Sequence, residues 1–276
     1  MKQAIIYTLL LFTVINVSGN EPQYASKKTK EVVKKMIDAH GGMNKWRASK
    51  TFSYENVMFS KSLPGSPFWI NRATVDNKTK RVYQEWPLHK SSMAFNGQDT
   101  WSVDWKIGNA PKFEALFFYY FLNLPWLTQD ENVTLSEVTK INHKAFKNEV
   151  YVIDMGFKNK PALGKTKNDT YKLYIDSKTF LLMGYEYTIT YGYMLDLFGF
   201  PKDAKFFGPM FRVHDAFTNV DGLIYPNLMH TSNLEQTQIY GNHAIYDYSL
   251  NTKFDEQKMK KPKNAVIDTS SHLRKK

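Results

Sequence analysis

The 276-residue chain contains no cysteine. This excludes disulfides, thiol catalysis and thiolate metal sites, so whatever folds does so by burial alone. Gly-x-Ser-x-Gly, His-Glu-x-x-His, a Walker loop and Gly-x-Gly-x-x-Gly are also missing, and with them the local signatures of hydrolase, zinc-protease, nucleotide and dinucleotide sites. No Gly/Ser/Pro linker divides the chain and no internal repeat is visible, which argues for a single domain. Acidic residues are outnumbered, 26 against 37 Lys and Arg, for a formal net charge of +11. The lysines are scattered and form no basic run interleaved with aromatics, so nucleic acid is not an expected partner. The basic balance suits weak attraction to an anionic membrane surface or a plain solvated surface.

Long apolar runs are few. The first, Ala4 to Val17, follows Lys2 and ends in Val17-Ser18-Gly19. A positive start, a short apolar core and small residues predict a signal peptide over residues 1–19, cleaved before Asn20. Export without cysteine suits a bacterial periplasm, where Asn77, Asn132 and Asn168 mean no more than turn chemistry. The mature chain, about 257 residues with a net charge of about +10, is long enough to bury a large core.

The second run organises the rest. Phe113-Glu-Ala-Leu-Phe-Phe-Tyr-Tyr-Phe-Leu-Asn-Leu-Pro-Trp126 is half aromatic and carries one charge, Glu114. Pro111 suits the first turn of a helix and Pro125 its end. Phe113, Leu116, Phe117, Tyr120 and Leu124 share a face at helical spacing, while Phe118, Phe121 and Leu122 extend apolarity round the other side. A helix apolar all round belongs in a core, a membrane or a greasy cavity. At about 13 residues and about 1.5 Å per residue it is too short to span a bilayer. It reads as a plug, either plain core or in contact with a ligand.

Elsewhere the periodicities are clear. Ser26 or Thr29 caps a first helix carrying Val32, Val33, Met36, Ile37 and His40, and Gly41-Gly42 ends it. His40 is placed as a cation suiting the helix C-terminus. Alternating segments follow from Phe52, with hairpin turns at Asp76–Thr79, Asn96-Gly97, Asp176–Thr179 and Asn219–Gly222 and a turn around Leu63–Pro67. The stretch from Gly192 to Pro209 is unusually apolar for a loop, and the polar tail beyond about residue 260 reads as loose. The expected fold is α+β, mainly β: a strongly curved antiparallel sheet forming an unclosed β-barrel, with an N-terminal helix and an inserted apolar plug or lid helix.

The polar residues offer one candidate constellation, His214, Asp215, His230, His243 and Asp247. It could serve a hydrolase or a metal-dependent enzyme only if at least three members converge, and none of the spacings matches a ligand pattern. No catalytic residue, metal or cofactor is assigned.

Taken together, His40-Gly41-Gly42 with Trp46, Phe95-Asn96-Gly97 with Trp101, Leu116 to Pro125, and Tyr171-Lys-Leu-Tyr-Ile-Asp-Ser-Lys-Thr-Phe-Leu-Leu182 resemble the LolA/LolB-like superfamily of periplasmic lipoprotein carriers. The nearest likeness is its outer-membrane-lipoprotein-sorting-like branch in Bacteroidetes. The resemblance runs from about Thr29 to Phe254. It implies an unclosed barrel with a helical lid, a non-catalytic role and a cavity for the acyl chains of lipid or lipoprotein. The implied cavity residues are Trp69, Trp101, Phe113, Leu116, Phe117, Tyr120, Phe121, Leu124 and Trp126. It further implies a lid held through its backbone carbonyls by an early-strand arginine, for which Arg72 is the candidate. A monomer is expected. The Gly192–Pro209 segment departs from the family. A structural envelope protein with a filled interior remains a third reading.

Overall fold

The first helix, α1 (Lys27–Ala39), forms where the apolar spacing predicts it. Ser26 caps it by accepting from the Thr29 N–H at 3.2 Å, and Val32, Val33, Met36 and Ile37 are buried. Lysines on the opposite face pair with Glu31 and Asp38. The helix ends in a Schellman arrangement, with Gly41 N–H on Asp38 O and Gly42 N–H on Ile37 O. Gly41 has φ +100°, and a Cβ there would sit 2.2 Å from Gly222 O. Only glycine lets the helix end come this close to the sheet. The structure, a computed structural model, describes residues 21–60, 68–159 and 166–274. The expected signal peptide and the turn around Leu63–Pro67 lie outside these residues.

The remaining helices are α2 (Met43–Ala48), α3 (Pro111–Glu114), α4 (Phe117–Leu122), α5 (Leu124–Leu127) and α6 (Gly192–Leu197). The strands are β1 (Gln23–Tyr24), β2 (Thr51–Phe59), β3 (Phe68–Asp76), β4 (Val82–Trp86), β5 (Ser91–Phe95), β6 (Thr100–Val103), β7 (Val133–Leu135), β8 (Thr139–Ile141), β9 (Val150–Phe157), β10 (Tyr171–Asp176), β11 (Leu182–Ile189), β12 (Phe207–Val220), β13 (Leu223–Ser232), β14 (Ile239–Leu250) and β15 (Val266–Ile267). Among the described residues they form one 15-stranded sheet in the order β1-β7-β9-β10-β11-β12-β13-β14-β2-β3-β4-β5-β6-β15, with β8 also on β9. β1 runs parallel to β7, and the other ladders are antiparallel.

The sheet is strongly curved and does not close into a barrel. Register shifts around His214–Phe217 in β12 and Tyr246–Ser249 in β14 supply curvature, since an extra residue on one strand bends it and increases its twist. The β14–β2 ladder joins the C-terminal strands to the N-terminal ones. The concave side holds α1 and the aromatic helical segment in one continuous core. A smaller cluster of Val150, Tyr174, Phe211 and Val213, under Phe146, covers part of the other face. That is why Met210–His214 are buried in succession rather than alternately.

Three expectations are corrected. The plug is not one helix but three short turns, α3, α4 and α5, and Pro125 begins the last turn rather than ending the helix. The break at Asn123 is stable because its amide donates to Tyr119 O at 2.8 Å and accepts from Trp46 Nε1 at 2.7 Å. Next, His40 is not a cation at a helix end. It is buried, and burial pushes its pKa down to about 4. Its Nδ1–H donates to Ile224 O at 2.7 Å and its Nε2 accepts from Leu182 N–H at 3.0 Å, so a neutral imidazole pins the end of α1 to β13 and β11.

Finally, the tail is not loose. β15 pairs with β6, and Asp268 N–H donates to Thr100 O at 2.8 Å. Gly192 and Tyr193 N–H bond to His272 and Ser271 carbonyls. Arg274 is held by Asp196 and by the Phe200, Pro201 and Ala204 carbonyls. A basic composition hides this strap because both its backbone groups and Arg274 bond to residues far away in sequence. Deleting residues 264–276 is therefore expected to cost at least about 1 kcal/mol, a fall of roughly 2–4 °C in the thermal midpoint for a chain of this size. Thermal denaturation of the truncated protein checks this; an unchanged midpoint would show the strap to contribute nothing.

Candidate functional site

Between the helical segment and the sheet lies a cavity of about 700 Å³. One wall is a ladder of rings spaced one helical turn apart. Phe113 and Phe117 are 4.7 Å apart between centroids, and Phe117 and Phe121 4.5 Å. The facing wall is Tyr171 of β10 with Tyr187 and Ile189 of β11, all pointing inward by strand alternation. Ser270, His272 and Leu273 of the strap form a roof, joined to the wall where Tyr191 Oη meets Ser270 Oγ at 2.9 Å. Tyr191 also packs tilted against Phe113, with centroids 5.6 Å apart.

Polar side chains also line the cavity, among them Gln98, Thr166, Asn168, Asp169, Thr188 and Ser270. Asp169 is committed, accepting from Thr190 and Thr166 at 2.6–3.2 Å. Lys80, Lys112 and Lys167 sit among the lining residues. Lys80 Nζ donates to Tyr119 Oη at 2.7 Å and lies 4.8 Å from that ring's centroid. Burial pulls its pKa down to about 8. A pocket of roughly 300–1,000 Å³ with apolar walls and few convergent polar groups is what an apolar small-molecule or acyl ligand requires.

Of the residues predicted to line a cavity, the structure brings Phe113, Leu116, Phe117 and Phe121 to it. Tyr120 is buried against Tyr171, and Leu124 is fully buried. Trp126 is buried too, parallel to Trp46 at 6.0 Å and near Tyr225. Trp101 is buried on β6 beside the strap, and Trp69 packs edge-on to His89. Those five belong to core or sheet packing, because strand and helix turn them away from the opening. Residues that the sequence analysis did not assign to the cavity, Tyr171, Tyr187, Tyr191 and the strap, complete the walls. The inward alternation of Tyr171 and Tyr187 was the one readable signal.

The histidine and aspartate set does not converge. Among the described residues no group of three His, Asp or Glu is placed to hold a metal. His214 faces the interior with Nδ1–H on Leu182 O at 2.8 Å, and burial pushes its pKa down to about 3. His243 is buried with Nδ1–H on Asn56 Oδ1 at 3.2 Å. His230 and Asp215 pair at 2.8 Å on the outer face, and Asp247 is exposed.

Comparison with known proteins rests on this architecture. No family model and no curated protein matches the sequence. Solved structures do match. A LolA superfamily protein from Nitrosomonas europaea superposes with a TM-score of 0.51 at 8% identity, covering 84% of this chain and 97% of that one. The chain has the fold of the LolA superfamily. A DUF1329 family protein from Desulfovibrio piger gives a TM-score of 0.51 at 11% identity, over 85% of this chain and 98% of that one.

Within this LolA-type fold the helical segment is held through its carbonyls, but not by Arg72. Arg72 alternates to the outer face of β3, where 59% of its side chain is exposed and its Nε meets Glu55 at 2.5 Å. The residue that reaches the carbonyls is Gln84 of β4. Its Nε2 donates to Glu114 O at 3.0 Å and Ala115 O at 2.9 Å, filling the break between α3 and α4. Its Oε1 accepts from Asn71 Nδ2 at 3.0 Å, so all three partners are buried and mutually satisfied.

Proposed function

We propose that this chain is an exported, non-catalytic carrier or binder that takes an acyl chain of lipid or lipoprotein between the aromatic ladder and the sheet. The observation that carries this reading is the cavity itself: aromatic rings on two facing walls and a single acid, Asp169, already committed to threonines. The fold shared with a LolA superfamily protein supports it. Export on residues 1–19 would place the mature chain in the periplasm. Among the described residues no helix is long and apolar enough to cross a membrane. Exposed Leu197, Phe198 and Phe206, with Lys202 and Lys205 between them, suit brief contact with an anionic membrane surface during loading.

Phe117 and Tyr120 test the reading together. Phe117 is half-buried on the cavity wall, so Phe117→Gln leaves its amide in reach of water. The variant should keep its unfolding midpoint within about 1 kcal/mol of wild type. It should bind a fluorescent fatty-acyl probe about 10–100-fold more weakly, because roughly 1.5–3 kcal/mol of apolar contact is lost. Tyr120→Gln places an amide in the core and should cost several kcal/mol of stability instead. Equilibrium unfolding and probe titration of both variants decide it. Absence of saturable probe binding by the wild type would sink the carrier reading.

A further inference from the structure

Arg212, in the middle of β12, is 2% exposed. Its Nε donates to Thr231 Oγ1 at 3.0 Å, whereas Nη1 has no partner. Arg72, Arg81 and Arg274 each pair with a carboxylate nearer the surface, and no such pair reaches Arg212 among the described residues. A guanidinium does not lose its proton in a protein, and a buried charge without a counter-charge is strongly disfavoured.

What surrounds it is aromatic. Its central carbon lies 4.6 Å from the Phe121 ring, 5.2 Å from Phe118 and 5.7 Å from Tyr187. Ring faces attract a cation but give an N–H no lone pair of carboxylate strength. Tyr185 pairs directly with Arg212 across β11 and β12, its ring 5.3 Å from Phe121, and apart from that guanidinium its hydroxyl has no partner. Burial raises that phenol's pKa while nearby Arg212 draws it back. His214 Nε2 is also unpartnered but can only accept, because its ring hydrogen is committed to Leu182 O. It therefore takes no part in holding an anion.

Phe121 and Tyr187 cover Arg212 and at the same time form the inner wall of the cavity. The ladder of Phe113, Phe117 and Phe121 thus leads from the lysine-bearing part of the cavity to a single buried cation with a free N–H and the Tyr185 phenol beside it. We propose that Arg212, with the Tyr185 hydroxyl, binds the carboxylate of a long-chain fatty acid inserted head first, its chain lying along that ladder. The inference rests on the carrier reading and specifies its ligand. One positive charge walled by rings suits a flat monoanion better than a phosphate. On binding, the Phe121 ring turns aside, and its contact with the guanidinium is exchanged for a charge-assisted hydrogen bond.

The experiment compares a fluorescent long-chain fatty acid with its methyl ester, titrated into the mature protein. Wild type should bind the acid at least about tenfold more tightly than the ester. Arg212→Met keeps the volume and removes the unpaired charge, so it should fold at least as stably and bind both probes equally. Arg212→Lys should retain part of the preference, and Tyr185→Phe should reduce it with the fold intact. Equal binding of acid and ester by wild type would overturn the proposal and leave the carrier reading standing. Loss of the preference in Lys112→Ala or Lys167→Ala, with Arg212→Met still discriminating, would overturn it by placing the head among the cavity lysines. Binding of neither probe would overturn both readings.

Discussion

Gln84→Leu is expected to destabilise the protein by about 3–5 kcal/mol, the largest effect of a single substitution outside the apolar core. Gln84 makes three buried hydrogen bonds, two to carbonyls where α3 gives way to α4 and one from Asn71. Leucine fills the space but takes away the bonds that Gln84 makes to the Glu114 and Ala115 carbonyls and to the Asn71 amide. Each such loss costs about 1–3 kcal/mol when water cannot reach the group. The helical segment should also loosen, because these bonds join α3 to the sheet. Urea unfolding measures the first effect and limited proteolysis near residues 109–117 the second. Asn71→Leu combined with Gln84→Leu should recover part of the loss, since one orphan disappears with its owner. Arg72→Ala is the control. Its side chain faces solvent, so the midpoint should not move. A large loss with Arg72→Ala and none with Gln84→Leu would reverse the assignment.

Stability should fall steeply as the solution is acidified from pH 7 to pH 4.5. His40 and His214 are neutral in the fold, their pKa values pushed down to about 4 and about 3 by burial. His243 is likewise shifted well down by burial, with Arg212 adding to it. In the unfolded chain each titrates near 6.5. The folded values are depressed, so the unfolded state binds the extra protons. The stabilisation is fully present above about pH 7 and is lost as pH falls through the window between the unfolded and folded values. Each histidine contributes a slope of about 1.4 kcal/mol per pH unit within it, so three together approach about 4 kcal/mol per unit. Carboxylates titrate mainly below this range. Denaturation midpoints at pH 7, 6 and 5 test the slope directly. A flat profile would mean that the histidines are charged or accessible in the fold. His40→Gln should lower stability at pH 7, where its two bonds are lost, and flatten the acid slope by about a third.

Much of the fold is legible in the residues. The spacing of Val32, Val33, Met36 and Ile37 places α1 correctly, and Gly41-Gly42 ends it for a reason that local chemistry states. The curved, unclosed sheet follows from many antiparallel strands, two helical insertions and no cysteine. These features depend on neighbours within a few positions, where periodicity and turn chemistry act.

The site was legible only in part, because it depends on contacts between distant segments. The sequence by itself determined that a greasy aromatic segment must be buried inside a β-rich fold, since so many rings cannot remain in water. It did not determine how that segment is broken, because the break is stabilised by Asn123, Trp46 and Gln84 from three separate elements. Nor did it distinguish Arg72 from Arg212. Both lie on strands, and only the wrapping of the sheet turns one to solvent and the other beneath Phe121. Tertiary structure alone decided that residues 266–274 are a strap over the cavity, because the partners of its backbone and of Arg274 lie about 70 or more residues away in sequence.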